Sequence, residues 1–208
     1  LCRLRLCLLP LLMPSAPASS PACPLCGTAD TRIQQRIPAA GLAALYARKT
    51  GIKVARFFPA DELLLASCPT CQLRSFHQAK AGDGPFYAAL QALGWYYPSM
   101  RHEFQYTLDL LQPQHKLLEV GAGSGYFAGM AHQQAQYTGL ELNEEGAKAA
   151  QDQGLDVQRQ DLHSHAEGNP ETYDAVVAFQ VLEHVEDPYG FIEGMVQCLK
   201  PGGDRVLA

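Results

Sequence analysis

Two hydrophobic rhythms divide the chain. From residue 116 onward, short apolar runs alternate with helical spacings, and four runs read as strands: Lys116-Leu-Leu-Glu-Val-Gly121, Tyr137-Thr-Gly-Leu-Glu141, Leu155 to Arg159, and Tyr173-Asp-Ala-Val-Val-Ala-Phe-Gln-Val-Leu-Glu-His184. A helix is predicted to start between the first two, over Tyr126 to Gln133, and another after Asp187-Pro188, where proline suits a first turn. Leu199-Lys-Pro-Gly-Gly203 reads as a turn leading into a further strand. This alternation predicts an α/β fold, a parallel sheet with helices on both faces. Upstream, Gly41 to Lys49 has the spacing of a short amphipathic helix. Two further helical patterns, Phe86 to Leu93 and Met100 to Leu111, flank a Trp95-Tyr96-Tyr97-Pro98 break. Aromatic residues at such a junction most often pack one unit on another, and a wall over a ligand is the alternative use.

Composition changes this picture little. The 208 residues suit one full domain plus a small appendage. With 47% hydrophobic and 18% charged residues, and no apolar run of membrane-spanning length, disordered and polytopic membrane classes are excluded. Charge changes it more. Residues 1–100 carry ten Lys/Arg against four Asp/Glu, net +6, whereas residues 101–208 carry six against seventeen, net −11. The acidic half offers no footprint for a phosphate backbone, and the basic residues of the first half are dispersed, so nucleic acid is not expected as a partner. At the N-terminus, residues 1–12 place arginines before an apolar stretch in the manner of a short secretory signal. Met13 and the polar run after it read instead as a natural start, with residues 1–12 an upstream extension and a cytoplasmic location. The abrupt C-terminal Val-Leu-Ala reads as the end of a fragment.

Four of the seven cysteines form two matching brackets, Cys23-Pro-Leu-Cys26 followed by Gly27, and Cys68-Pro-Thr-Cys71. Paired C-x-x-C brackets predict a tetrahedral zinc site, because each tight turn offers two thiolates to one ion. Four thiolates leave no open position for water, so the ion would be structural. The 41 residues between brackets exceed a simple ribbon spacing and require an insertion. Two disulfides in a secreted protein are the competing reading. His77 reads as a surface side chain, and Cys2, Cys7 and Cys198 as unpaired thiols.

The glycine turn Gly121-Ala-Gly123-Ser-Gly125 follows the first strand of the second half, and Glu141 ends the next strand twenty residues after Gly121. Glycines let a ligand approach the backbone, and a carboxylate at that strand end can accept both hydrogen bonds of a ribose diol. A dinucleotide fingerprint needs Gly or Ala where Tyr126 stands, which weighs against a nicotinamide-dependent oxidoreductase. The spacing is E-x-G-x-G-x-G, Glu119 through Gly125.

In this motif the chain resembles the class I S-adenosylmethionine-dependent methyltransferases, and further matches follow in order. Asp161-Leu162 resembles the adenine-contacting pair, Tyr173 to His184 the fourth strand, and Leu199 to Gly203 the turn before the fifth. The resemblance covers about residues 100 to 208 and lacks the closing strands. It implies a Rossmann-like doubly wound sheet, incomplete here, that binds S-adenosylmethionine through Glu119, Gly121, Gly123, Gly125, Glu141, Leu142, Asp161, Leu162 and Gln180. His184, at the strand end, is the candidate base, and Glu183 either orients it or caps the next helix. The brackets together with the Phe86-Tyr87 to Glu103-Phe104 segment are also similar to a bacterial subgroup that joins a four-cysteine zinc module to such a methyltransferase. Some of those relatives modify sugars or surface polysaccharides, which implies a small-molecule acceptor of that class. Where that subgroup has Lys-Trp-Glu-Phe, this chain has Arg101-His102-Glu103-Phe104, a departure that weakens the transfer of a ligand role to 101–102. The expected organisation is a leader (1–22), a zinc-ribbon-like module (23–80), a helical aromatic connector (81–112) and the Rossmann-like domain (113–208). A non-catalytic scaffold or interaction protein is the competing function.

Overall fold

The computed structural model describes residues 20–93 and 101–207. The leader and the Trp95-Tyr96-Tyr97-Pro98 break fall outside or almost outside these ranges. Strands β1 (Arg32–Pro38), β2 (Glu62–Ser67) and β3 (Arg74–His77) form an antiparallel sheet in the order β1-β2-β3. Helix α1 (Ala39–Thr50) crosses from β1 toward β2 and ends on Gly51 in the left-handed conformation. The insertion predicted between the cysteine brackets is therefore this strand–helix–strand unit, of which the periodicity revealed only the helix.

Helix α2 (Gly84–Gln91) begins at Asp83, whose carboxylate accepts from the Phe86 N–H at 2.9 Å. It packs on the first unit through Phe86, whose ring lies 5.1 Å from Phe57 and 6.4 Å from Tyr46. Arg56 grips both Asp83 carboxylate oxygens at 2.9 and 3.2 Å, fastening the helix start to the unit.

Helix α3 (His102–Leu110) leads into a five-stranded parallel sheet made of β4 (Lys116–Val120), β5 (Gln136–Leu140), β6 (Val157–Gln158), β7 (Tyr173–Ala178) and β8 (Leu199–Leu207), in the order β6-β5-β4-β7-β8. Strand alternation sends Leu117, Ala175 and Val177 to one face, where they meet α3, α4 (Ala128–Ala131) and α5 (Glu144–Gln151). Leu118, Val120, Val176 and Ala178 go to the other face, against α6 (Leu162–Gly168) and α7 (Pro188–Cys198). The sheet is doubly wound, as the alternation predicted. No helix among the described residues is long and apolar enough to cross a membrane.

Three local expectations are corrected. The helix predicted over Tyr126 to Gln133 is only Ala128–Ala131, because tight turns occupy both sides of it. The fourth strand stops at Ala178, since Gln180 takes a positive φ of 55° and turns the chain. His184 consequently sits in a short 3₁₀ turn, Leu182–His184, six residues past the strand rather than at its end. The cap of α7 is Asp187, which accepts from the Gly190 N–H at 3.0 Å, and Glu183 takes no part in it.

Candidate active site and cysteine cluster

In this strand order the chain runs outward from β4 through β5 to β6 and then returns to β7 on the other side of β4. Such a switch opens a crevice at the carboxyl ends of the central strands, the place where open α/β sheets bind ligands. A cleft of about 1580 Å³ lies there. Eight of the nine candidate donor-binding residues and His184 line it; the ninth, Gly125, does not, and faces Leu155 and Ala150 instead. Tyr46, Phe86, Tyr87 and Leu90, from the first unit and α2, line it as well. Phe86 thus does both things the sequence left open, packing α2 on the first unit and lining the cleft.

The glycine turn is fixed from two sides. Gly121 and Ala122 donate to the Leu140 carbonyl at 2.8 and 2.9 Å, tying the turn to the end of β5. Gly125 has φ +87°, and a Cβ there would meet Leu155 Cδ1 at 2.6 Å, so a side chain is excluded by both conformation and space. Behind the turn, the rings of Phe104, Phe127 and Phe179 contact one another at 4.8 to 5.3 Å and hold α3 against the end of the sheet.

Glu141 locks the turn. Its Oε2 accepts from the Gly123 N–H at 2.8 Å and its Oε1 from the Asn143 N–H at 2.7 Å. Asn143 in turn caps α5 by accepting from Gly146 at 2.9 Å. Asp161 caps α6: its two oxygens accept from the Ser164 N–H at 2.9 Å and the Ser164 hydroxyl at 2.7 Å, bonds that hold its carboxyl below the usual carboxylate range. Leu142 is 67% exposed beside Glu141, an apolar surface at the cleft edge. Leu162 is buried beneath. Glu119 forms part of the floor, and burial, helped by nearby Glu141 and opposed by a hydrogen bond from the Tyr137 hydroxyl, pushes its carboxyl up to about 8.

His184 faces the cleft from the opposite side, with its ring edge-on to Tyr87 at 5.3 Å. Its Nε2 lies 4.0 Å from Glu183, too long for a hydrogen bond, so Glu183 does not orient the ring here.

The cysteine brackets meet as predicted. The sulfurs of Cys23, Cys26, Cys68 and Cys71 all lie within 4.8 Å of one another, with Cys23–Cys71 at 3.6 Å and Cys26–Cys68 at 3.5 Å. None of the four is in a disulfide. Tetrahedral zinc with Zn–S bonds of about 2.3 Å needs sulfur separations of about 3.8 Å, and these four thiols fit that ion. The backbone N–H groups of Cys71 and Thr70 favour the Cys68 thiolate and bring it down to about 6. His77 bonds Ser75 and stands apart from the cluster, and Cys198 is buried without a partner among the described residues.

A family model described as a methyltransferase domain matches residues 90–208. The chain belongs to the class I methyltransferase domain family. The ubiquinone biosynthesis O-methyltransferases of Vibrio cholerae and Aliivibrio fischeri are 38% and 39% identical to it over 95 residues, 42% of this chain and 39% and 41% of theirs. The chain thus spans about two-fifths of the length of the curated relatives it matches. Among solved structures, a Thermotoga maritima S-adenosylmethionine-dependent methyltransferase, described as a possible histamine N-methyltransferase, is 27% identical with a TM-score of 0.43, covering 50% of this chain and 48% of that one. The YcgJ protein of Bacillus subtilis is 21% identical with a TM-score of 0.47, covering 51% and 49%.

For a methyltransferase domain, the cleft contains residues that sequence reasoning did not single out. Asn143 lines it, and Tyr137 closes on Glu119 below it. Asn143 was readable as a helix cap before an acidic first turn. Tyr137 was read only as a strand residue, because nothing in a period-two pattern shows where a hydroxyl ends.

Proposed function

We propose that the chain transfers a methyl group from S-adenosylmethionine to a hydroxyl oxygen of a small acceptor. The observation that carries this reading is the state of Glu141. Two backbone N–H groups orient its carboxylate at the cleft, and a carboxylate with about four lone-pair sites retains room for a ribose diol. Gly121 and Gly123 let the donor approach the backbone, Gly125 lets the turn pack on Leu155, Leu142 and Leu162 offer apolar contact to the donor's base beside Asp161, and Gln180 and Glu119 bound the far side and the floor. When bound, the donor supplies a methyl group on a positively charged sulfur, which needs little activation. The protein's task is alignment and proton removal. His184, across the cleft, takes the acceptor hydroxyl proton as methyl transfer proceeds.

The name of the Vibrio and Aliivibrio relatives supports oxygen as the accepting atom. A sugar hydroxyl, the class implied by resemblance to the zinc-module subgroup, presents the same atom. The four cysteines hold one structural zinc ion, and the chain divides into the zinc-binding module (23–80), the connector (81–112) and the donor-binding domain (113–208). Incubation with methyl-labelled S-adenosylmethionine and two acceptor probes, catechol and a methyl glycoside, tests the reading. Label should reach oxygen in one of them; label in neither, with donor binding intact, would overturn the acceptor assignment.

A further inference from the structure

No step of the proposed reaction uses His165, yet this side chain is only 3% exposed and has both ring nitrogens engaged. Its Nε2 lies 2.7 Å from the hydroxyl of Tyr173, which is buried at the start of β7, and its Nδ1 lies 3.0 Å from Oε1 of Gln160. An amide oxygen only accepts, so Nδ1 carries the proton and Nε2 accepts from the Tyr173 hydroxyl. Burial favours the neutral ring that this tautomer requires, against the pull of Asp156. The bonds thus run outward from the core to the cleft, which Gln160 lines.

The consequence falls on Gln160. A glutamine side chain left to itself can turn either end of its amide outward. Here Oε1 is held by His165, and the amide nitrogen, the end left over, makes no hydrogen bond to any described residue. Its N–H donors suit an acceptor atom on a ligand, and holding them in place beforehand lowers the cost of ordering them on binding. Gln160 directly precedes Asp161 and Leu162, which stand beside the donor's base in the proposed function, and the unsubstituted ring nitrogens of a purine are acceptors. Resting on that reading, we propose that Gln160 donates to a ring nitrogen of the donor's purine, and that His165, backed by Tyr173, is the positioning residue that turns the amide toward it.

Calorimetry on the full chain tests this with S-adenosylhomocysteine and its 1-deaza, 3-deaza and 7-deaza analogues, each of which lacks one ring nitrogen. The proteins are the wild type, Gln160→Leu, His165→Asn and His165→Gln. One analogue should bind the wild type about three- to tenfold more weakly than S-adenosylhomocysteine, the worth of one neutral hydrogen bond. Gln160→Leu should bind that analogue and S-adenosylhomocysteine alike. An asparagine amide reaches about as far as Nδ1 and a glutamine amide about as far as Nε2, so His165→Asn keeps the partner of Gln160 and His165→Gln keeps that of Tyr173. The discrimination should therefore survive in His165→Asn and disappear in His165→Gln, a split that a merely structural role would not produce. Discrimination kept in His165→Gln or lost in His165→Asn overturns the positioning role. Equal binding of all four ligands by the wild type, or discrimination that persists in Gln160→Leu, overturns the contact itself. A folded wild type that binds none of the four overturns the reading of the cleft along with the proposal.

Discussion

The Tyr137 hydroxyl donates a 2.5 Å hydrogen bond to Oε2 of Glu119, inside the protein and one strand over. Glu119 pairs in register with Gly139, and a Cβ at Gly139 would lie 2.5 Å from the Tyr137 hydroxyl. The missing side chain is what lets the tyrosine reach the acid. Burial keeps the Glu119 proton on up to about pH 8.

That raised carboxyl makes stability depend on pH. Between the ordinary carboxylate range and about 8, the folded protein holds a proton that the unfolded chain releases. Glu119 therefore stabilises fully below about pH 4, and its contribution is lost as pH rises through about 8, at no more than about 1.4 kcal/mol per pH unit. Glu119→Gln mimics the protonated form and should remove this slope. Urea midpoints at pH 5, 6.5 and 8 measure it, and the difference between the two proteins isolates the carboxyl from thiol and metal effects. Parallel pH profiles would show that Glu119 ionises normally.

The cysteine cluster predicts a metal content. The purified chain should hold one zinc per molecule, and Cys68→Ser, which removes one of four thiolates, should lose most of it and lower the unfolding temperature of the N-terminal unit. Elemental analysis with thermal unfolding checks both. A full complement of zinc in Cys68→Ser would refute coordination by the four sulfurs.

The two brackets fold alike but differ in the residue that follows the second cysteine. Gly27 bonds back to the Cys23 carbonyl at 3.0 Å with φ +70°, and Gln72 bonds back to the Cys68 carbonyl at 3.0 Å with φ +64°. The left-handed conformation costs a residue with a side chain about 1 kcal/mol or more. Gln72→Gly should therefore stabilise the unit by a fraction of that amount, since glycine also gains freedom when unfolded. Denaturant midpoints decide this, and a clear loss of stability would contradict it.

On the proposed reading, His184 acts on the acceptor and not on the donor. Its replacement by Ala should lower kcat by about a hundredfold or more while leaving S-adenosylhomocysteine affinity within about twofold. Turnover unchanged in the variant would remove the base assignment.

The sequence carried the parallel sheet because buried strands such as Leu117-Leu118 and Val176-Val177 are apolar on both faces, and the paired brackets carried the meeting of the four cysteines. It did not carry β1, whose half-exposed Arg32-Ile-Gln-Gln-Arg-Ile-Pro38 is a pattern no more apolar than a loop. Nor did it carry the place of His184. That depends on Gln180 adopting a positive φ, which a side chain there does not announce. Glu141 was read correctly as a strand-end carboxylate, but its bond to Gly123 depends on how the glycine turn folds back over β5, a three-dimensional fact.

In the proposed function, the cleft over β4 and β5 binds the methyl donor through Glu141. Calorimetric titration of the full chain and of Glu141→Ala with S-adenosylhomocysteine measures this. Saturable one-to-one binding by the wild type and a loss of about tenfold or more in the variant, which forfeits the ribose acceptor and the two bonds that hold the turn, are the expected results. Equal affinity in the two proteins, or no binding by a folded wild type, would refute donor binding through Glu141.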